Sequence, residues 1–189
     1  DCKVVTIQKE NKSILRRPLL EKNSDSFIRF NDAISIIRKI AVENEPSFAH
    51  QVSPRKPFGI ISSVKPKKNE FEDSVKIYAH PKRGYISKQL ITQNENWVDK
   101  FKVLIAKAYG ERGAFPYKVL AKPFIGEQST CCSETYLVIG PYSSVNYVKN
   151  VISYINTKFF RLLVLLKKNT QNAARGVYQF VPLQDFSEP

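Results

Sequence analysis

The chain has 189 residues, 42% of them apolar and 12% aromatic, and a formal net charge of +13. That content suits one well-cored domain and excludes the low-hydrophobicity composition of a disordered chain. The longest apolar run, Leu162 to Leu166, falls far short of the ~20 residues that span a bilayer, and three cysteines (Cys2, Cys131, Cys132) make no disulfide framework, so no membrane partner and a reducing, cytoplasmic setting are expected.

In chain order, Val4 to Gln8 reads as a short strand. Phe27 to Ile40 reads as an amphipathic helix with Ile34, Ile37 and Ile40 on one face, Asn31 as its cap, and Asn44-Glu45-Pro46 as its end. Ser53 to Gly59 holds two Pro and a Gly and reads as loop; Ile60 to Val64 reads as a strand and Lys65 to Asn69 as a turn. Val75 to Tyr78 alternates as a half-buried strand should, and Pro81 to Gly84 turns the chain into a strand at Tyr85 to Ser87. Ser87 caps a short segment through Ile91, and Trp97 to Ile105 ends in a buried apolar strand. Thr135 to Ile139 is the clearest strand, stopped by Gly140-Pro141. A helix starts at Ser143 or Ser144 and carries Val148, Val151 and Ile155 on one face. Asn156-Thr157 caps a second helix with Phe160, Leu163 and Leu166, ending in Lys167 and Lys168, where the helix dipole favours cations. Val177 to Val181 reads as a last strand closed by Pro182.

Short strands beside segregated helices imply an α+β fold with a C-terminal helix pair. We expect one domain over 1–189, with a helix-containing lobe at 1–50, a basic β-rich part at 51–142, and the helix pair plus last strand at 143–189. Residue 1 is Asp and the chain has no Met, so a piece of a longer chain is expected.

Charge is unevenly placed. Residues 51–125 carry 15 Lys/Arg against 6 Asp/Glu, whereas 1–50 carry 9 against 7 and 126–189 carry 6 against 4. A localised cationic zone interleaved with aromatics is the footprint of nucleic-acid contact. Arg55, Lys56, Lys65, Lys67, Lys68, Lys82 and Arg83 sit in loops rich in Pro and Gly, and Lys107 and Arg112 flank another. Such side chains reach phosphates, and Arg and Gln also read purine edges. Tyr85, Phe58 and Tyr109 either stack on a base or pack in the core. Lys168 and Gln171 end the helix pair with a basic tip that either touches the nucleic-acid backbone or is solvated.

Reaction chemistry is sparse. The chain has 7 Gly and contains no GxGxxG, GxxxxGK[ST] or GxSxG motif. His50 and His80 have no nucleophile partner in sequence, no His/Cys spacing fits zinc, and the methyltransferase-type Asn/Asp-Pro-Pro-Tyr/Phe loop is absent. Cys131 and Cys132 read as buried structural thiols and Glu134 as a hydrogen-bonded structural acid. Glu10-Asn11-Lys12 only superficially echoes a nuclease Glu-x-Lys. No catalytic residue, metal or cofactor is therefore assigned to this chain itself.

Several stretches carry a resemblance: Gly84 to Ser87, Trp97 to Val103, Lys122 to Glu127, Glu134 to Gly140, KFFRLLVLLKKNTQ and FVPLQDFSEP, with Arg17 to Glu21 and Ser53 to Gly59. Together they resemble the C-terminal part of bacterial adenine-specific DNA methyltransferases of restriction-modification systems, with Cys131-Cys132 as a departure where one Cys is expected. The resemblance implies a target-recognition domain of the TaqI-like or type I specificity kind, with a mixed fold of short twisted strands beside paired helices. It implies double-stranded DNA as partner, catalysis in a preceding domain of the same parent chain, and S-adenosylmethionine as that parent's cofactor. The alternative is part of a type II restriction endonuclease with its own metal-dependent nuclease site; a third reading is an RNA-binding or protein-interaction domain.

Overall fold

The computed structural model describes residues 1–8, 10–22, 24–43, 45–110 and 118–188. The fold is α+β, with three small sheets and three α-helices among the described residues. A hairpin opens the chain: β1 (Cys2–Gln8) pairs antiparallel with β2 (Asn11–Arg17), Val5 opposite Ile14. A 3-10 turn at Asn31–Ala33 leads into α1 (Ile34–Glu43). Asn31 does not cap it. Its amide donates to the Val4 (3.0 Å) and Ser13 (3.2 Å) carbonyls and its oxygen accepts from Arg17 Nε (3.2 Å), so it ties the hairpin to the helix entrance. Arg17 is buried, also donates to the Ile28 carbonyl, and lies 3.8 Å from Glu21, which Arg38 of α1 holds at 2.9 Å.

The middle of the chain forms two sheets. In one, β3 (Ser74–Tyr78) pairs antiparallel with β4 (Gly84–Ser87) and parallel with β7 (Thr130–Cys132). In the other, β5 (Phe101–Ala106) lies between β6 (Phe124–Gly126) and β8 (Tyr136–Tyr142), antiparallel to both. Side chains alternate across a strand. Val103, Ile105, Leu137 and Ile139 therefore face a first core with α1, Phe48, Tyr178 and the C-terminal helices, while Leu104 and Val138 face a second core with Val75, Ile77, Ile86, Phe58, Cys131 and Cys132. Cover on both faces explains why these strands read as unbroken apolar runs.

The helix pair is α2 (Val145–Ile155), capped by Ser144, whose oxygen accepts from the Asn146 amide, and α3 (Lys158–Lys167), capped by Thr157, whose oxygen accepts from the Phe160 amide at 3.1 Å. Arg29 donates to the Leu165 and Lys168 carbonyls that α3 leaves open at its C-terminus.

Four expected elements differ. The helix expected over Phe27 to Ile40 begins only at Ile34 and runs on to Glu43, because the Ile28 carbonyl accepts from Arg17 and Asn31 is tied to the hairpin. Ile60 to Val64 is not a strand, because the Ile60 carbonyl accepts from the Glu134 amide and the Ser62 amide donates to the Glu134 carboxylate, leaving no partner strand to ladder with. Val177 to Val181 holds a 3-10 turn (Arg175–Tyr178) and a loop; its apolar spacing drops Tyr178 and Val181 into the first core, and the Val181 carbonyl accepts from Phe48. Gly140-Pro141 does not stop β8, which runs on until Tyr142 pairs with Phe101, across a glycine at φ +111° that tolerates the irregular register.

Candidate nucleic-acid interface

The loop of residues 53–59 is fixed from both sides. The Ser53 amide donates to the Val138 carbonyl (2.8 Å) and its hydroxyl accepts from the Val138 amide (3.0 Å), fastening the loop to β8. Phe58 is wholly buried with Trp97 at its edge, so core packing is the role it takes. Asn94 donates to the Pro57 carbonyl and the Thr92 amide to that of Phe58. Gly59 stands at φ +78°, where a Cβ would come within 1.9 Å of the Thr92 hydroxyl, so only glycine closes this turn.

Arg55 projects from this fixed loop. Its Nε (3.0 Å) and one terminal nitrogen (2.8 Å) both donate to Glu134 Oε2, while Glu134 Oε1 accepts from the Ser62 amide (3.1 Å). The guanidinium side chain is 67% exposed and the carboxylate 9%. The Ser62 amide and then Arg55 hold the Glu134 carboxyl down at about 2, from an ordinary value of 4.5.

Beside this pair runs a cleft of about 410 Å³ lined by Arg55, Ser62, His80, Lys107, Glu134 and Tyr136, among others. Ser62 and His80 also line a neighbouring hollow of about 310 Å³, which Lys65 and Lys82 line as well. Strand ends build its walls. Lys107 follows β5, with its amide bonded to the Thr135 carbonyl and its own carbonyl to the Ala173 amide. His80 follows β3, whose last carbonyl, at Tyr78, accepts from the Ser133 amide.

The same cationic character continues over the open face of the β3–β4 pair. Ile86 points into the second core, so Tyr85 takes the opposite face, half-buried and in register with the exposed Lys76. Lys76 and Arg83 both stand over the Tyr78 ring, Arg83 also over Phe124, and Phe124 meets Tyr136 edge-on at 5.6 Å. Lys67 is bonded through its backbone to Tyr85 in both directions, at 2.8 and 2.9 Å, with its ammonium 4.2 Å from the Phe71 ring centre. Lys68 is exposed on the same turn, and Lys56 is half-buried at φ +58°.

The structure thus brings Arg55 and Lys107 to one cleft and Lys65 and Lys82 to the hollow beside it, and sets Lys67, Arg83 and Tyr85 on the adjoining face. Lys168 is placed differently. Its half-buried ammonium donates to the Tyr109 (3.0 Å) and Val119 (2.8 Å) carbonyls, and burial lowers its pKa, so it acts as a strut. Tyr109 packs on the first core with its amide bonded to the Gln171 carbonyl, while Gln171 is exposed. Arg112 lies outside the described residues. His80 and Lys76 belong to the same surface but were missed by the sequence reading: His80 was weighed only as a catalytic group or zinc ligand, and Lys76 lay inside a strand rather than a loop.

Compared with protein-family models, curated proteins and solved structures, the chain matches none. Among the described residues no helix is long and apolar enough to cross a membrane, and no three His, Cys, Asp or Glu side chains are grouped to hold a metal ion.

Proposed function

We propose that this chain binds double-stranded DNA as the target-recognition domain of an adenine-specific methyltransferase of a restriction-modification system, working in the cytoplasm. The observation that carries the DNA reading is the placing of Arg55 and Lys107 on one cleft and of Lys65 and Lys82 on the hollow next to it, flanked by Lys67, Lys76 and Arg83 beside aromatic rings. Clustered cations on rigid strand ends lower the cost of meeting a phosphate row, and the interleaved rings offer stacking surface. The resemblance of the sequence to the C-terminal part of such enzymes supports the narrower reading. In it, a catalytic domain of the same parent chain carries S-adenosylmethionine and receives the flipped adenine, and this chain grips and reads the flanking duplex.

Fluorescence anisotropy with a random duplex across a salt titration, followed by sequence selection on the bound pool, tests it. Salt-sensitive binding with an enriched adenine-containing motif is the expected result. Absence of duplex binding at low salt, equal affinity for RNA, or divalent-metal-dependent cleavage by the chain would each overturn it.

A further inference from the structure

We infer that Arg55 is a base-reading residue, a fork aimed at the major-groove edge of guanine, and that Glu134 is the positioning residue that aims it. This rests on the DNA-binding reading above.

A guanidinium has two donor edges of use here. In Arg55, Nε and one terminal nitrogen are taken by a single carboxylate oxygen of Glu134, and the side chain is nevertheless 67% exposed at the mouth of the cleft. The edge formed by the two terminal nitrogens remains turned away from Glu134. That edge is the planar pair of donors that fits the O6 and N7 acceptors of guanine.

The mount is unusually well fixed. Glu134 is 9% exposed, and its other oxygen accepts from the Ser62 amide. Its backbone amide donates to the Ile60 carbonyl, and the loop carrying Arg55 is bonded to β8 through Ser53 and closed by Gly59. A long side chain that is ordered before binding loses less freedom on binding.

Charge decides between the two usual partners of arginine. A phosphate brought to Arg55 meets the ionised Glu134 carboxylate at the same site, which repels it and already compensates the guanidinium charge. A guanine edge is neutral and asks for donors in a fixed geometry, which the pair supplies. Among the described residues Lys65, Lys82 and Lys107 form no salt bridge, and from the cleft and the hollow beside it they suit phosphates.

The test is sequence selection from a random duplex pool by the wild type, Arg55→Ala, Arg55→Lys and Glu134→Gln. Each is paired with a salt titration and a thermal melt followed by circular dichroism. The wild type should enrich a motif containing a G·C pair. Both Arg55 variants should lose that one preference, with affinity for the selected duplex down roughly five- to a hundredfold and the salt slope unchanged. Arg55→Lys keeps the charge and lacks the fork, so its loss isolates geometry from charge. Glu134→Gln should weaken the same preference while keeping the Ser62 bond.

The inference is overturned if both Arg55 variants keep the full motif. It is equally overturned if Arg55→Ala lowers affinity uniformly and reduces the salt slope by about one, the mark of a phosphate contact. Variants that lower the melting temperature but leave the base preference intact would show a structural ion pair only. Salt-sensitive wild-type binding with no motif overturns this inference and leaves DNA binding standing, whereas no duplex binding by the wild type removes both.

Discussion

Lys102 has no exposed surface, yet its ammonium is fully partnered: it donates to the carbonyls of Val98 (3.1 Å), Glu127 and Thr130 (3.0 Å each), with the Thr130 hydroxyl at 3.3 Å. Three N–H groups facing three carbonyls satisfy every donor of the buried lysine. Burial takes its pKa from 10.5 down to about 8, so it still carries its proton at neutral pH. Lys102→Met keeps the stem and strands the three carbonyls, and should cost about 1–3 kcal/mol, read by urea unfolding. The buried lysine was invisible in the sequence, where it counts as one more basic residue. Glu134 behaves oppositely with pH. Its folded pKa of about 2 lies below the ordinary 4.5, so the stabilisation it contributes is complete above 4.5 and is lost as pH falls towards 2. The difference in unfolding midpoint between wild type and Glu134→Gln should stay constant from pH 7 to about 5 and shrink below that; a difference that grows on acidification would contradict the Ser62 and Arg55 contacts.

The helices were legible because their signals are local. Ser144 and Thr157 stand one residue before α2 and α3 and accept from the backbone as caps do, and the residues that α2 and α3 bury sit where the period of 3.6 puts them. Thr157→Ala should cost about 1 kcal/mol, seen as a lower melting temperature with the fold retained. The strands β3, β4, β5 and β8 were legible for the same reason, whereas β2, β6 and β7 were not. Asn11–Arg17 has a polar outer edge and gains its order from pairing with β1, and Thr130–Cys132 is three residues long and defined by its parallel partner β3. Asn31 shows the limit most plainly: its residue type fits a cap, but the hairpin takes both its amide hydrogens and engages its oxygen. The cleft was half legible. Its cations could be chosen by loop composition, but that Lys168 braces two carbonyls while Arg55 and Lys107 share a wall depends on pairings far apart in the chain. The hairpin itself depends on Arg17. Arg17→Ala leaves the Asn31 oxygen and the Ile28 carbonyl without their donor and should cost on the order of 3 kcal/mol. Amide exchange should quicken first in β1 and β2, because the other two sheets do not use this residue.

Across the whole molecule, most of the +13 charge lies in residues 51–125, which carry 15 Lys/Arg against 6 Asp/Glu. If Lys65, Lys67, Lys82, Lys107 and Arg83 each meet a phosphate, log K for duplex binding should fall against log salt with a slope of about 0.9 per contact. Each single change to Ala among them should remove about one from that slope without altering base preference, and a slope indifferent to all five would place the duplex elsewhere. The sheet formed by β6, β5 and β8 has one further consequence. Because Val103 and Ile105 serve one core while Leu104 serves the other, neither core can come apart while its neighbour stays closed. A calorimeter should therefore record a single transition, with equal calorimetric and van't Hoff enthalpies. The loops around Arg55 and Lys107 hang from β8 and β5 of that shared wall, so their loss of shape should coincide with that single transition.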